Sequence, residues 1–201
     1  MTYIPINSPL VVDFQNMPKA ELKVYFNCFT DSISGRILEL TNLVKVSSGF
    51  ESWEPDMTSN SLDQLGHWLA TQIENRQRTK EEIEQIKKQL AFPVKIRQED
   101  ITSNAISIAT DVGIYFGQTF IANYPLLRWD QLLGNKKYID YGQPVIVGFG
   151  RVPLNSVRIV VTLARAIADG KQTGNRLKEL YRYWEDQIFK TSSKKKRKGN
   201  L

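Results

Sequence analysis

Apolar residues recur at every third or fourth position along several stretches of the chain, and this spacing is typical of one face of an α-helix. The longest stretch starts at Pro18, which suits the first turn of a helix, and ends at Ser47 and Gly49. Its apolar positions are Leu22, Phe26, Phe29, Ile33, Ile37, Leu40 and Val44. Cys28 lies beside this stripe and is predicted to be packed in the core. Gly35 within the helix predicts that another element passes close to it.

Two shorter helices are predicted before residue 93. One begins near Ser61, where Gln64 stands three residues on and completes a capping box. The other begins with the capping-box pair Thr79 and Glu82 and ends before Pro93. Its many charges and thin apolar stripe place this helix on the surface.

The most apolar stretch lies between Thr102 and Tyr124. Its apolar residues cover most of the circumference of a helix, so this helix is predicted to be central. Gly113 and Gly117 have the spacing that lets another backbone approach, which predicts a close crossing with a core helix or with the sheet. Two amphipathic helices follow, at about 155–169 and 175–189.

Short runs rich in β-branched residues predict strands at residues 10–14, 127–132 and 143–149. Turn-forming residues such as Gly134 and Gly142 separate the last two strands. The whole pattern predicts an α+β fold that is predominantly helical, with five or six helices packed on a small, mainly antiparallel sheet.

The length of the chain suits one globular domain, which we place at residues 1–190. Within it the pattern allows a helical half at 1–98 and an α/β half at 99–190. Residues 191–201 have almost no apolar surface, so we expect a disordered basic tail there.

The tail also accounts for most of the net charge of +6, which arises from 27 basic and 21 acidic residues. Its five basic residues are Lys194, Lys195, Lys196, Arg197 and Lys198. Because the tail contains no acid, the rest of the chain has 22 basic against 21 acidic residues. A basic folded surface for nucleic acid is therefore not indicated. Contact with nucleic acid or with an anionic membrane is expected through the tail only.

No combination of residues indicates a catalytic, metal or cofactor site. The run from Gly148 to Gly150 lies between a predicted strand and a helix, but Pro153 occupies the position of the third glycine of a dinucleotide-binding turn. The single histidine, His67, and the single cysteine, Cys28, have no spacing typical of zinc ligands. Two carboxylates of a hydrolase would leave no recognisable spacing in a sequence.

Asp111 is the one acid within the central apolar stretch, and two interpretations of it stay open. It could be a buried functional carboxylate. Alternatively, it could lie with Ser107 and Gln118 on a partly wet polar edge of the helix, which would explain all three polar residues.

We expect a cytoplasmic protein. Residues 1–10 lack the positive and apolar regions of a signal peptide, and no apolar run approaches the ~20 residues of a membrane span. The lone Cys28 excludes an internal disulfide and fits a reducing compartment.

A series of short, packing-type motifs follows in order along the chain to about Ile188. They are Val12-Asp13-Phe14-Gln15-Asn16-Met17, Trp53-Glu54, Ser61-Leu62, Leu65-Gly66, Trp68, Asp111-Val112-Gly113-Ile114-Tyr115-Phe116-Gly117, Trp129, Gln143-Pro144-Val145-Ile146-Val147-Gly148-Phe149, Leu180-Tyr181 and Trp184. This order resembles a group of small uncharacterised cytoplasmic proteins of bacteria, mainly Firmicutes-like, some of which look like immunity proteins of toxin systems. The resemblance implies no catalytic residues.

These observations favour a non-enzymatic protein that binds another protein, such as an immunity protein that occludes a toxin. An occluding surface needs a few aromatic anchors and charges, and the acidic loop with Glu51, Trp53, Glu54 and Asp56 is the first candidate. Tyr138 and Tyr141 are the second candidate, and a Trp53 packed in the core is the alternative interpretation of that residue. The rival functions are a nucleic-acid or membrane accessory protein that uses the tail, and a carboxylate-dependent hydrolase.

Overall fold

The structure is a computed structural model that describes residues 3–6, 13–90, 92 and 94–198. Its elements, in chain order, are α1 (Lys19–Lys45), α2 (Ser59–Gln72), β1 (Asn75–Gln77), α3 (Lys80–Gln89), β2 (Glu99–Ile101), α4 (Ser103–Asn123), β3 (Arg128–Gln131), β4 (Pro144–Val147), α5 (Ser156–Ala168) and α6 (Arg176–Lys198). The predicted class, α+β and predominantly helical with six helices, is confirmed.

The sheet is smaller than predicted, because the described strands form two separate antiparallel pairs. β3 pairs with β4, with Trp129 opposite Ile146, so the strands predicted near 127–132 and 143–149 are confirmed. The strand predicted at 10–14 is wrong at its end, where Asp13 accepts hydrogen bonds from the N–H groups of the next turn and leads the chain into α1. The rest of that predicted strand, 10–12, lies outside the described residues.

The second pair, β1 with β2, was missed by the sequence analysis. Arg76 lies opposite Asp100, and each strand has only three residues. Three residues are too few for a period of two to stand out from the surrounding polar sequence.

Helix α4 is the centre of the fold, as its apolar circumference predicted, and it packs on α5, α1 and α2. A Cβ atom added to Gly113 would lie 2.6 Å from Val157 Cα of α5. One added to Gly117 would lie 2.6 Å from Ser156 Oγ of α5 and 2.7 Å from the Trp129 ring of β3. The predicted close crossing is confirmed, and it involves both a core helix and a sheet.

Helix α1 contributes less to the core than its apolar stripe predicted. Only Leu22, Leu40 and Val44 of this helix are buried. Cys28 is exposed, and no described atom of another element lies within 4 Å of a Cβ added to Gly35, so both predictions for these residues are wrong. A helix that touches the body along a narrow seam leaves the residues beside its stripe in solvent.

The capping signals were read correctly at one helix and shifted at another. At α3 the predicted box is present, with Thr79 N donating to Glu82 Oε2 at 2.8 Å and Glu82 N donating to Thr79 Oγ1 at 3.2 Å. Helix α2 begins earlier than predicted, because Thr58 is its N-cap and accepts from Ser61 N. Ser61 is therefore the third residue of this helix instead of its cap.

The expected disordered tail is corrected in part, because α6 continues to Lys198. Lysine and arginine are good helix formers, and a helix that is already formed extends at little cost per residue. Residues 199–201 lie outside the described residues.

Among the described helices, α4 alone is long and apolar enough to cross a membrane, by length and composition. However, 72% of its most apolar window is buried inside the protein. This burial is typical of the core helix of a soluble protein.

Candidate functional site

The loop before α2 contains the first predicted surface, and its aromatic residue is not accessible. Trp53 is 1% exposed, packs edge-to-face on Tyr115, and donates from Nε1 to the Ser61 carbonyl at 3.0 Å. The interpretation of Trp53 as a core residue is therefore confirmed, and its use as a surface anchor is wrong. An indole with a hydrogen-bonded N–H is well suited to such burial.

The three acids of this loop are exposed, but each is engaged in local structure. Glu51 accepts a hydrogen bond from Gly49 N, and Asp56 accepts one from Thr58 N, both at 2.9 Å. Hydrogen bonds from its own N–H and from Gly49 N lower the pKa of the Glu51 carboxyl. Glu54 forms an ion pair with Lys45 at 2.5 Å. The loop is thus a braced connection between two helices.

The second predicted surface lies at the opposite end of α1. Tyr141 is 1% exposed and Tyr138 is half-buried, so the prediction that Tyr141 belongs to a binding surface is wrong. The Tyr141 hydroxyl group has no hydrogen-bond partner among the described residues. The next residue, Gly142, packs on Leu22 near the start of α1, whereas the acidic loop is tied to Lys45 at its end. At 1.5 Å per residue these positions are about 34 Å apart along the helix, so the two predicted surfaces do not form one site.

Asp111 is fully buried, so the interpretation of a wet polar edge is wrong for this residue. Arg36 of α1 donates to both carboxylate oxygens, from Nε to Oδ1 at 2.7 Å and from Nη2 to Oδ2 at 2.5 Å. The hydroxyl of Tyr3 donates to Oδ2 at 2.6 Å. Burial raises the pKa of the Asp111 carboxyl above its ordinary value, and the hydrogen bonds from Arg36 and Tyr3 oppose that shift.

The same cluster fastens residues 3–6 to the body of the protein. Arg36 Nη1 donates to the Ile4 carbonyl at 2.8 Å, and Ile6 N donates to Ser107 Oγ of α4 at 2.6 Å. The Arg36 guanidinium also lies over the Tyr3 ring, 5.5 Å from its centre. All of these bonds are internal, which assigns the cluster a structural role.

The other two buried carboxylates of the described residues are also bound by arginine. Asp100 contacts Arg165 at 3.0 Å and Arg78 at 2.9 Å. Asp140 accepts from Arg158 Nε at 2.8 Å and Nη2 at 3.0 Å. Guanidinium groups satisfy buried carboxylates bidentately, and these pairs join separate elements. Within the described part of the chain, no group of three or more metal-ligating side chains occurs.

A groove with a volume of about 1120 Å³ lies beside α3. We call it the α3 groove. One wall is a face of α3, the other is the segment 94–99 that leads into β2, and the end of α5 closes one side. Its apolar residues are Ile83, Val94, Ile96 and Ala168; its charged residues are Lys80, Glu84, Lys87, Lys95, Arg97, Glu99, Asp169 and Lys171.

The acidic residues around the α3 groove are engaged by neighbouring groups, whereas some of its basic residues form no described ion pair. Of its acids, Glu84 is paired with Lys87 at 2.6 Å, and Asp169 is paired with Arg97 and Lys171. Glu99 accepts from a neighbouring amide.

Lys80 and Lys95 stand on opposite walls and form no ion pair with any described residue. The lining of the groove thus combines apolar residues with an excess of positive charge.

Large apolar side chains lie exposed where α3 ends. Phe92 is 77% exposed, Val94 59% and Leu90 39%. Because they follow one another closely in the chain beside the α3 groove, they differ from scattered surface residues. The sequence analysis missed this site. The signal that could have found it is the apolar run around Pro93, which follows a surface helix and has no core to join.

The comparisons with known proteins add no assignment, because no family model, no curated protein and no solved structure matches this chain.

Proposed function

We propose that this chain is a non-enzymatic binding protein, and that the α3 groove holds an acidic segment of another protein. The observation that carries the proposal is the apolar part of the groove lining together with two lining lysines, Lys80 and Lys95, that form no ion pair with a described residue. Apolar area supplies affinity, and complementary charge supplies orientation and a faster association.

The buried ionisable groups support binding over catalysis. Each buried carboxylate of the described residues is bound by arginine, and none of the three lines the α3 groove. A hydrolytic pair of carboxylates needs access to substrate and a separation of roughly 5–9.5 Å across a cleft. The acids that do line the groove are engaged with neighbouring lysine, arginine or amide groups.

An immunity protein that occludes a toxin is one form of this function, and the resemblance described above suggests it. Toxins and their inhibitors often meet through surfaces of opposite charge, which accelerate encounter. In this form the acidic segment belongs to the toxin. A cytoplasmic location is part of the proposal, because a lone exposed Cys28 suits a reducing compartment.

The rival function, binding of nucleic acid or an anionic membrane through residues 194–198, stays a separate proposal. Its support is the concentration of five positive charges in five consecutive positions.

Site-specific photo-crosslinking in the native host tests the binding function. A photoreactive phenylalanine analogue replaces Phe92, and the matched control carries it in place of Tyr183, which is 60% exposed on α6. We expect a discrete covalent product with one acidic protein from position 92 and none from position 183. The captured protein is then purified and its dissociation constant for this chain is measured.

Substitution of the groove decides whether that binding uses it. We expect Val94→Asp to weaken binding by at least about tenfold, because it removes apolar contact and adds a repelling charge. Val152→Asp is the matched control, since Val152 is also 59% exposed and outside any helix or strand. Equal affinities for the two variants, or equal crosslinking from both positions, would exclude the α3 groove as the binding site.

A further inference from the structure

Residues 94–97 form one wall of the α3 groove and precede β2 without belonging to any described helix or strand; we call them the β2 extension. The β1–β2 ladder continues one pair beyond its named strands, where Arg78 N donates to the Gln98 carbonyl at 2.7 Å. After Arg78 the chain turns into α3, with Thr79 as its N-cap. Residues 94–97 therefore lie before β2 in the chain, where the β1 side of the ladder has already ended.

The main chain of the β2 extension is largely unpaired: among the described hydrogen bonds, only the Ile96 carbonyl accepts one, from Gln98 Nε2 at 3.3 Å. The N–H groups of residues 94–97 donate no hydrogen bond to any described residue. Unpaired strand edges of this kind readily accept another extended chain, because main-chain hydrogen bonds are available along the edge.

The side chains of the extension alternate between apolar and basic. Val94 and Ile96 are apolar, and Lys95 and Arg97 are basic. Successive side chains of a strand point to opposite faces, so an extended segment presents one apolar and one positive face. All four residues line the α3 groove.

We infer that the partner binds the α3 groove as an added β-strand in which apolar and acidic residues alternate. This inference rests on the proposed function and specifies the conformation and the pattern of its acidic segment. In cross-strand pairs the apolar residues of the partner pack beside Val94 and Ile96, and its carboxylates lie beside Lys95 and Arg97. Such cross-strand pairs stabilise a sheet in addition to its main-chain hydrogen bonds.

The test uses a fluorescent, acetylated and amidated peptide in which glutamate and valine alternate. We expect saturable binding by anisotropy, and protection of alternate amides within residues 94–97 against hydrogen exchange in the complex. N-methylation of every second residue, on the edge that pairs, should weaken binding at least about tenfold while leaving the side chains unchanged.

Charge reversal supplies a second readout. Lys95→Glu should weaken binding of the glutamate peptide. It should strengthen binding of the corresponding peptide in which lysine replaces glutamate. Lys136→Glu is the matched control, because Lys136 is an exposed lysine in a turn far along the chain from the groove, and it should leave both affinities unchanged.

Three outcomes would overturn the inference. One is equal binding of the N-methylated and unmodified peptides. Another is preferential binding of an acidic helical peptide with leucine at every third or fourth position. That result would exclude a partner in the β conformation but would still agree with an acidic partner in the groove. The third is binding of single-stranded RNA, but of no acidic peptide, with the same dependence on Lys95. Failure of the crosslinking at Phe92 would instead refute the proposed function itself, so the two failures are distinguishable.

Discussion

Removal of the Arg36 side chain should destabilise the fold more than removal of almost any other partly exposed side chain. The Arg36 side chain is 14% exposed, whereas the Asp111 side chain with which it pairs is fully buried. Arg36→Met keeps most of the length and apolar stem of the residue but leaves the carboxylate buried and unpaired. Breaking a buried pair in this way costs about 3–5 kcal/mol.

Removing both charges should cost less than removing one. In Arg36→Met combined with Asp111→Leu no buried charge remains, and the main loss is the hydrogen bonding of Tyr3 and Ile4. Leaving such groups unsatisfied costs about 1–3 kcal/mol. The double variant is therefore expected to be more stable than Arg36→Met alone.

Urea unfolding followed by circular dichroism measures each free energy of unfolding. For a chain of this size a loss of 3–5 kcal/mol lowers Tm by about 6–20 °C. The control is Arg128→Met, since Arg128 is 70% exposed in its pair and should change stability by less than about 0.5 kcal/mol. A double variant that loses the sum of the two single effects would refute the reasoning, because additivity means that the side chains do not interact.

The pH dependence provides an independent check. Without Arg36, the pKa of Asp111 in the folded protein should rise further, because a hydrogen bond to the ionised form is lost. A carboxyl whose folded pKa lies above its unfolded value is most favourable to folding at low pH, and this contribution is lost as pH rises through the folded pKa. The deficit of Arg36→Met should therefore shrink as the pH falls from 7 toward about 4.

Three further predictions concern the core, the helix crossing and alkaline pH. Trp53→Ala should lower the free energy of unfolding by about 3–5 kcal/mol in urea titrations, because the indole is buried; a change below 1 kcal/mol would contradict its burial. Gly113→Ala should destabilise by at least about 1–3 kcal/mol in the same assay, because the new methyl would meet α5 backbone, whereas Gly35→Ala should be neutral or stabilising. Burial raises the pKa of Tyr181 to about 12, so wild-type stability should fall between about pH 10 and 12 as the unfolded tyrosine ionises first. Tyr181→Phe should flatten that part of the stability profile, and an unchanged slope would assign the effect to another group.

The parts of the fold that sequence predicted are those set by local pattern. The all-round apolar stretch identified α4, and the pair Thr79 and Glu82 fixed the start of α3, because each signal is complete within a few turns. Cys28 was misplaced because periodicity gives the direction of a face but not how far the neighbouring elements extend along it.

The contents of the sites were harder to predict because they depend on contacts between distant residues. Tyr3, Arg36 and Asp111 are separated by 33 and 75 residues, and no local spacing connects them. The α3 groove was missed for a similar reason: its lining comes from α3, from residues 94–99 and from the end of α5, which are far apart in the chain. An exposed aromatic such as Phe92 looks the same in a sequence as one that is buried.

The bond between Tyr3 and Asp111 has a consequence for synthesis of the chain. The two residues are 108 positions apart, so Tyr3 leaves the ribosome long before its acceptor exists. At roughly 5–20 residues per second the interval is about 5–20 s. During that time the amino terminus remains undocked and accessible to chaperones, and the Asp111 carboxylate can enter the interior only after α1 has emerged with its guanidinium. The ribosome therefore makes the Arg36 guanidinium before the Asp111 carboxylate that it neutralises.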